Sequence, residues 1–94
     1  MKIKDHPAIK WDQWIRPLAR VNLPSDDLDD AILKGVRYIY RTAPHLEITL
    51  EHGGKIGTIS APISDPNFAQ HICGDLKNNC IGKTVQEIGD RTAP

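Results

Sequence analysis

The decapeptide HICGDLKNNC at residues 71–80 contains the side chains best suited to chemistry. Thiolate, imidazole and carboxylate groups are all ligands that Zn²⁺ accepts. The segment has no C-x-x-C pair, however, and Cys73 and Cys80 lie two helical turns apart, which is about 10 Å along a helix axis. Neither one metal ion nor one disulfide bridges that distance on an intact helix. We therefore predict no metal site, no disulfide and no bound cofactor.

A thiol beside an imidazole is also the pair that nucleophilic enzymes use, and Cys73 and His71 are the candidates here. Such catalysis further needs an oriented base and an oxyanion hole, and no pattern in the chain indicates either. Cys73 and Cys80 both fall on the apolar stripe of a predicted helix, where free cysteine behaves as a small hydrophobic residue. Burial of both thiols is therefore favoured. A small enzyme or ligand-binding protein with a reactive thiol around His71 and Cys73 is the alternative.

The second candidate is WDQWIR at residues 11–16, which contains both tryptophans of the chain. Tryptophan and arginine are enriched at the centres of protein interfaces. Trp11, Trp14 and Arg16 are therefore candidates for a partner-binding surface. Packing of the two indole rings on the sheet as core is nevertheless the favoured interpretation, and stacking on nucleic-acid bases is the remaining alternative.

Charge and hydropathy limit the classes of function. Twelve acidic residues balance twelve basic ones, so the formal net charge is zero and no overall field favours nucleic acid or an anionic membrane. No apolar run approaches the roughly 20 residues that span a bilayer, and the first residues, MKIKDHPAIKWDQW, lack the apolar core of a signal peptide. We expect one cytoplasmic domain over residues 1–94, with reduced thiols, no membrane contact and no nucleic-acid partner.

The clearest local pattern is a β-hairpin. Leu46, Ile48 and Leu50 alternate with polar residues, and Gly53-Gly54 suits a two-residue turn whose central positions both need positive φ. This pattern predicts antiparallel strands at about 45–51 and 56–61. The turn also predicts the register: His52 opposite Lys55, Leu50 opposite Gly57, Ile48 opposite Ile59 and Leu46 opposite Ala61.

Residues 25–44, SDDLDDAILKGVRYIYRTAP, have apolar residues at helical spacing, including Leu28, Ile32, Val36 and Ile39. With Ser25 as N-cap and acidic residues in the first turn, this segment is predicted to be a helix that ends before Pro44. The tetrapeptide RTAP at 41–44 recurs at 91–94, and both copies are interpreted as helix exits.

Signals elsewhere in the chain predict shorter elements. Asp65-Pro66 and the capping-box pattern TVQE at 84–87 begin two helices near the carboxyl end, and Gly89 ends the second. PAIKWDQWI predicts a helix that ends at Pro17, and the alternation in residues 18–23 predicts a short strand.

Together these elements predict a small α+β domain of order α-β-α-β-β-α-α, with the helices packed on one face of the hairpin. An isolated two-stranded hairpin is marginal in water, so residues 18–23 join it as a third strand, or a hairpin edge pairs with a second chain, or both. The function expected from this architecture is a protein-interaction or binding module that acts as a homodimer, in preference to an enzyme.

Overall fold

The computed structural model describes residues 1–17, 20–23 and 28–94. A four-stranded antiparallel sheet has the order β1-β4-β3-β2, and three α-helices and a short 3-10 turn, Ile3–Asp5, accompany it. The α+β class predicted from the sequence is confirmed. The strands are β1 (Arg20–Val21), β2 (Ile32–Tyr40), β3 (Pro44–His52) and β4 (Lys55–Pro62), and the helices are α1 (Trp11–Ile15), α2 (Pro66–Asn79) and α3 (Val85–Gly89).

The predicted hairpin is confirmed as β3 and β4, with the predicted register. His52 faces Lys55 next to the turn, and Ile48 faces Ile59 in the middle of the pair. Gly53 and Gly54 have φ angles of 58° and 81°, the left-handed region that a type I′ turn requires and that glycine adopts most readily.

The third strand, predicted at residues 18–23, is confirmed for residues 20 and 21. Residues 22 and 23 form a bend instead, and residues 18 and 19 lie outside the described part of the chain. In β1, Arg20 pairs with Ile59 and Val21 pairs with Thr58. Both strands of the hairpin therefore have neighbours within the chain, because β1 adjoins β4 along these two residues and β2 adjoins β3.

The predicted helix over residues 25–44 is wrong, because residues 32–40 form strand β2. A β-bulge interrupts the pairing with β3 between Leu33 and Gly35. A bulge inserts one extra residue into a strand, so Leu33 and Val36 both face the core although they are three residues apart. That spacing imitates one turn of a helix. The proposed cap at Ser25 lies outside the described residues.

The first RTAP copy is also not a helix exit. Residues 41–43 form the bend that joins β2 to β3, and Pro44 is the first residue of β3, where a missing N–H is tolerated. The second copy does follow a helix, since α3 ends at Gly89. The repeated tetrapeptide therefore occupies two different local structures.

Both carboxyl-terminal helices begin as predicted. The Asp65 carboxylate accepts hydrogen bonds from the backbone N–H groups of Asn67 and Phe68 at the start of α2. Thr84 and Glu87 form the reciprocal capping box of α3, in which each side chain accepts a hydrogen bond from the other residue's backbone N–H.

All three helices lie on one face of the sheet. Ile48, Leu50 and Ile59 point from the strands into a core that also receives side chains from the helices: Trp14, Ile72, Leu76, Val85 and Ile88. The opposite face has no helix over it within the described residues. None of the described helices combines the length and the apolar character needed to cross a membrane.

Candidate functional site

The thiol candidates lie on the buried side of α2. Cys73 is 5% exposed and Cys80 is fully buried, and both are free thiols. Burial raises the pKa of Cys73, although the neighbouring Lys77 and a backbone hydrogen bond from Tyr38 oppose this shift. Burial raises the pKa of Cys80 as well. Both sulfur atoms are therefore held as protonated, weakly nucleophilic thiols at neutral pH.

His71 is not placed to activate Cys73. It is exposed on α2, and residues two apart on a helix project from different faces. Among residues 1–17, 20–23 and 28–94, no three His, Cys, Asp or Glu side chains lie together in a way that could hold a metal ion. The fold therefore does not bring His71 and Cys73 together as a thiol–imidazole pair.

The two tryptophans occupy different environments. Trp14 is 2% exposed and belongs to the core, whereas Trp11 is half-buried. Their ring centroids lie 5.2 Å apart with the ring planes inclined by 32°. Arg16 is exposed at the carboxyl end of α1. A partner could therefore reach Trp11 and Arg16 directly, while Trp14 supports Trp11 from beneath.

Gly89 determines where the Trp11 ring rests. A Cβ atom at Gly89 would lie 2.5 Å from Cζ2 of Trp11, which is closer than side-chain carbon atoms approach one another. The absence of a side chain at the end of α3 thus lets the indole ring lie directly on the helix backbone.

A hollow of about 190 Å³, which we call the Trp11 hollow, opens beside this ring. The residues that line it include Asp29, Asp90 and Lys4. A second hollow of about 370 Å³, the N-terminal hollow, is also lined by Trp11, together with Asp5, Asp12 and Lys10 among others. Sequence reasoning identified Trp11 but missed Asp29 and Asp90, because only the tertiary fold brings these distant residues to it.

Two ion pairs with Asp90 lie at the wall of the Trp11 hollow. Nζ of Lys4 lies 2.8 Å from Oδ1 of Asp90, and Nζ of Lys2 lies 3.9 Å from the same oxygen. The hydrogen bond from Lys4 lowers the pKa of Asp90 and raises the pKa of Lys4. Both groups are consequently charged at neutral pH.

The second candidate surface is the side of the sheet opposite the helices. We call it the uncovered face, and it is formed by the strand residues that alternate with the core residues, among them Val21, Arg37, Glu47, Thr49, Glu51, Ile56, Thr58 and Ser60. Val21 and Ile56 are each 57% exposed, which places two large apolar side chains in solvent.

Charged residues on and beside the uncovered face are paired across β2 and β3. Nε of Arg37 donates to Oε1 of Glu47 at 3.0 Å, and Nζ of Lys34 lies 3.5 Å from Oε2 of Glu51. Each pair sums to zero charge. These four residues therefore add no net charge to the surface.

A hollow of about 450 Å³ lies at the β1 end of this face, where Val21, Thr58 and Ser60 meet His45 and Glu47. Arg20 also lines this hollow, so its lining mixes hydroxyl, imidazole, carboxylate, guanidinium and apolar groups. We find no protein-family model, curated protein or solved structure that matches the chain, so the two surfaces must be interpreted from their own chemistry.

Proposed function

We propose that the chain is a small protein-interaction module that forms a homodimer through the uncovered face of its sheet. The proposal rests on the observation that the helices of the described residues cover one side of a four-stranded sheet, whereas Val21 and Ile56 are exposed on the other. Homodimers with two-fold symmetry are the commonest assemblies of soluble proteins, and such an interface uses the same surface twice.

The charges on and beside the uncovered face favour a second copy as the occupant. Because Arg37 pairs with Glu47 and Lys34 pairs with Glu51 within one chain, two such faces can approach without strong like-charge repulsion. A strongly charged partner would gain little from these four residues, because their charges are already paired. The formal net charge of zero also removes long-range repulsion between copies.

The area of the face indicates how strong this association can be. Three strands of eight or nine residues and the two-residue β1, about 4.8 Å apart at about 3.3 Å per residue, give roughly 400–450 Å² for each copy. The total of about 800–900 Å² falls below the roughly 1,200–2,000 Å² of stable specific interfaces and within the range of weak, transient ones. We therefore expect a reversible dimer with a dissociation constant on the order of micromolar.

Substitution at the centre of the face tests the proposal. Thr49 faces Thr58 in the middle of the sheet, and Thr49→Arg would place an additional cation on the same surface of both copies. We expect the dissociation constant, measured by native mass spectrometry over a concentration series, to rise by at least about tenfold. The matched control is His71→Arg, which adds a cation on the exposed side of α2.

A dimer that survives Thr49→Arg unchanged, or that His71→Arg weakens equally, would place the contact elsewhere. Circular dichroism of both variants must match that of the parent chain, so that loss of the dimer is not confused with loss of the fold.

A further inference from the structure

We propose that Trp11, with the carboxylates around it, binds an arginine side chain presented by a protein partner. The site lies on the helix-covered side of the sheet, because Trp11 borders the same apolar core as Trp14, Leu76 and Ile88. It is therefore separate from the uncovered face, and neither proposal depends on the other.

The aromatic surface is fixed in advance of binding. Trp11 is half-buried, rests on the backbone of Gly89 and contacts Trp14 through its ring. A ring that is already immobilised loses little conformational entropy when a ligand stacks on it. Tryptophan is also the aromatic residue that attracts cations most strongly.

The charge around the ring favours a cation. The residues that line the Trp11 hollow and the N-terminal hollow include four carboxylates, from Asp5, Asp12, Asp29 and Asp90, and two ammonium groups, from Lys4 and Lys10. Four negative and two positive charges give −2, in a chain whose formal net charge is zero. Lys2, which approaches Asp90 from outside the lining, reduces the local charge to −1.

The volume of the Trp11 hollow and the flat shape of a guanidinium group favour arginine over other cations. The Trp11 hollow has a volume of about 190 Å³, which suits a single side chain rather than a helix or strand of a partner. A guanidinium group can stack its flat face on the indole ring while its N–H groups donate to carboxylates at the edge. Asp29 and Asp90 line the same hollow as Trp11.

The test compares two peptides of nearly the same shape, one with a cationic guanidinium group and the other with a neutral ureido group. Acetyl-Gly-Arg-Gly-amide and its citrulline counterpart are titrated into the ¹⁵N-labelled full chain, and the two indole N–H signals are followed by NMR. Trp11→Phe assigns those signals. We expect the arginine peptide to shift the Trp11 signal with a dissociation constant in the millimolar range, and the citrulline peptide to bind about tenfold more weakly.

Two matched variants test the role of the carboxylates. Asp29→Asn removes a charge from the wall of the hollow, whereas Asp30→Asn removes the same charge from the adjacent exposed residue, which does not line it. We expect several-fold weaker arginine binding for Asp29→Asn and unchanged binding for Asp30→Asn. Asp90→Asn is a second variant for the same wall if Asp29→Asn does not fold.

Equal binding of the two peptides, a shift confined to Trp14, or no shift at millimolar peptide would overturn the proposal. Thr49→Arg must bind the arginine peptide with the parent affinity, since the two surfaces are separate. This result would hold whether or not the parent chain dimerises, so failure of one proposal is distinguishable from failure of the other.

Discussion

Asp75 and Arg91 join α2 to the segment that follows α3. Nε of Arg91 donates to Oδ2 of Asp75 and Nη2 donates to Oδ1, each at 2.9 Å, which is the bidentate geometry of a strong charge-assisted pair. The Asp75 side chain is only 14% exposed. The hydrogen bonds from Arg91 hold the pKa of Asp75 below its usual value.

Loss of this pair should destabilise the fold in a pH-dependent way. We expect Asp75→Asn to lower the free energy of unfolding at pH 7 by about 1 kcal/mol, after allowance for solvent screening. Because the folded-state pKa of Asp75 is depressed, its contribution is present above the unfolded-state pKa and is lost as the pH falls through the folded-state pKa.

Urea denaturation at pH 7 and near pH 3 measures this difference, with Asp30→Asn as the exposed control. The difference in the free energy of unfolding between the parent chain and Asp75→Asn should be larger at pH 7 than near pH 3. A gap that grows as the pH falls would contradict the role given to the Arg91 pair.

The buried thiols give a second test at the level of single residues. Because burial raises the pKa of Cys73 and of Cys80, the thiolate fraction is small and the sulfur atoms are shielded. We expect both thiols to react with Ellman's reagent at pH 7.5 only on the timescale of unfolding, and at once in denaturant. Rapid reaction of one thiol in the folded chain would restore the thiol-enzyme alternative.

Among the elements, β1 depends on a close approach to Gly57. A Cβ atom at Gly57 would overlap the carbonyl oxygen of Val21 and lie 2.8 Å from Cγ of Leu23. Asn22, which follows β1, has a φ of 62° and turns the chain at this point. The absence of a side chain at Gly57 therefore permits the crossing of these two segments.

Two glycine-to-alanine changes separate this packing effect from helix propensity. We expect Gly57→Ala to destabilise the fold by about 1–3 kcal/mol, because backbone atoms must move. Gly74→Ala, within α2, places its Cβ in open space and should stabilise by about 0.5–1 kcal/mol. Thermal unfolding monitored by circular dichroism compares them. Similar effects from the two changes would refute the packing argument.

The elements that local sequence predicts correctly are those whose signals agree with one another. Alternation and the Gly53-Gly54 turn both specify the β3–β4 hairpin, and the Asp65 and Thr84 caps begin α2 and α3. Such signals act within a few residues, so tertiary packing does not need to override them.

Strand β2 could not be recognised from spacing alone. Its bulge places Leu33 and Val36 on one face at helical spacing, and the acidic residues before it resemble a helix start. Residues 36–40, VRYIY, are rich in β-branched and aromatic residues, which favour a strand. The helical spacing of the apolar residues in this segment is the stronger local pattern. The Trp11 hollow could not be predicted from the sequence for a different reason, because Asp29 and Asp90 are far from Trp11 along the chain.

The solvent-accessible area of the whole molecule matches that expected for a folded monomer of the same mass. Its accessible area is 5,331 Å², and a monomeric protein of 10.5 kDa has about 5,400 Å². We therefore expect the proposed dimer to form between monomers that are already folded. This distinguishes the proposed association from an obligate dimer, whose subunits unfold on separation.

Self-association of the parent chain is the most direct test of the proposed function. Sedimentation velocity over roughly 1–500 µM brackets the micromolar dissociation constant expected for an interface of this size. We expect the weight-average mass of the parent chain to rise from about one chain to about two chains across this range, with the midpoint for Thr49→Arg at a higher concentration. A mass of one chain at every concentration would contradict the homodimer.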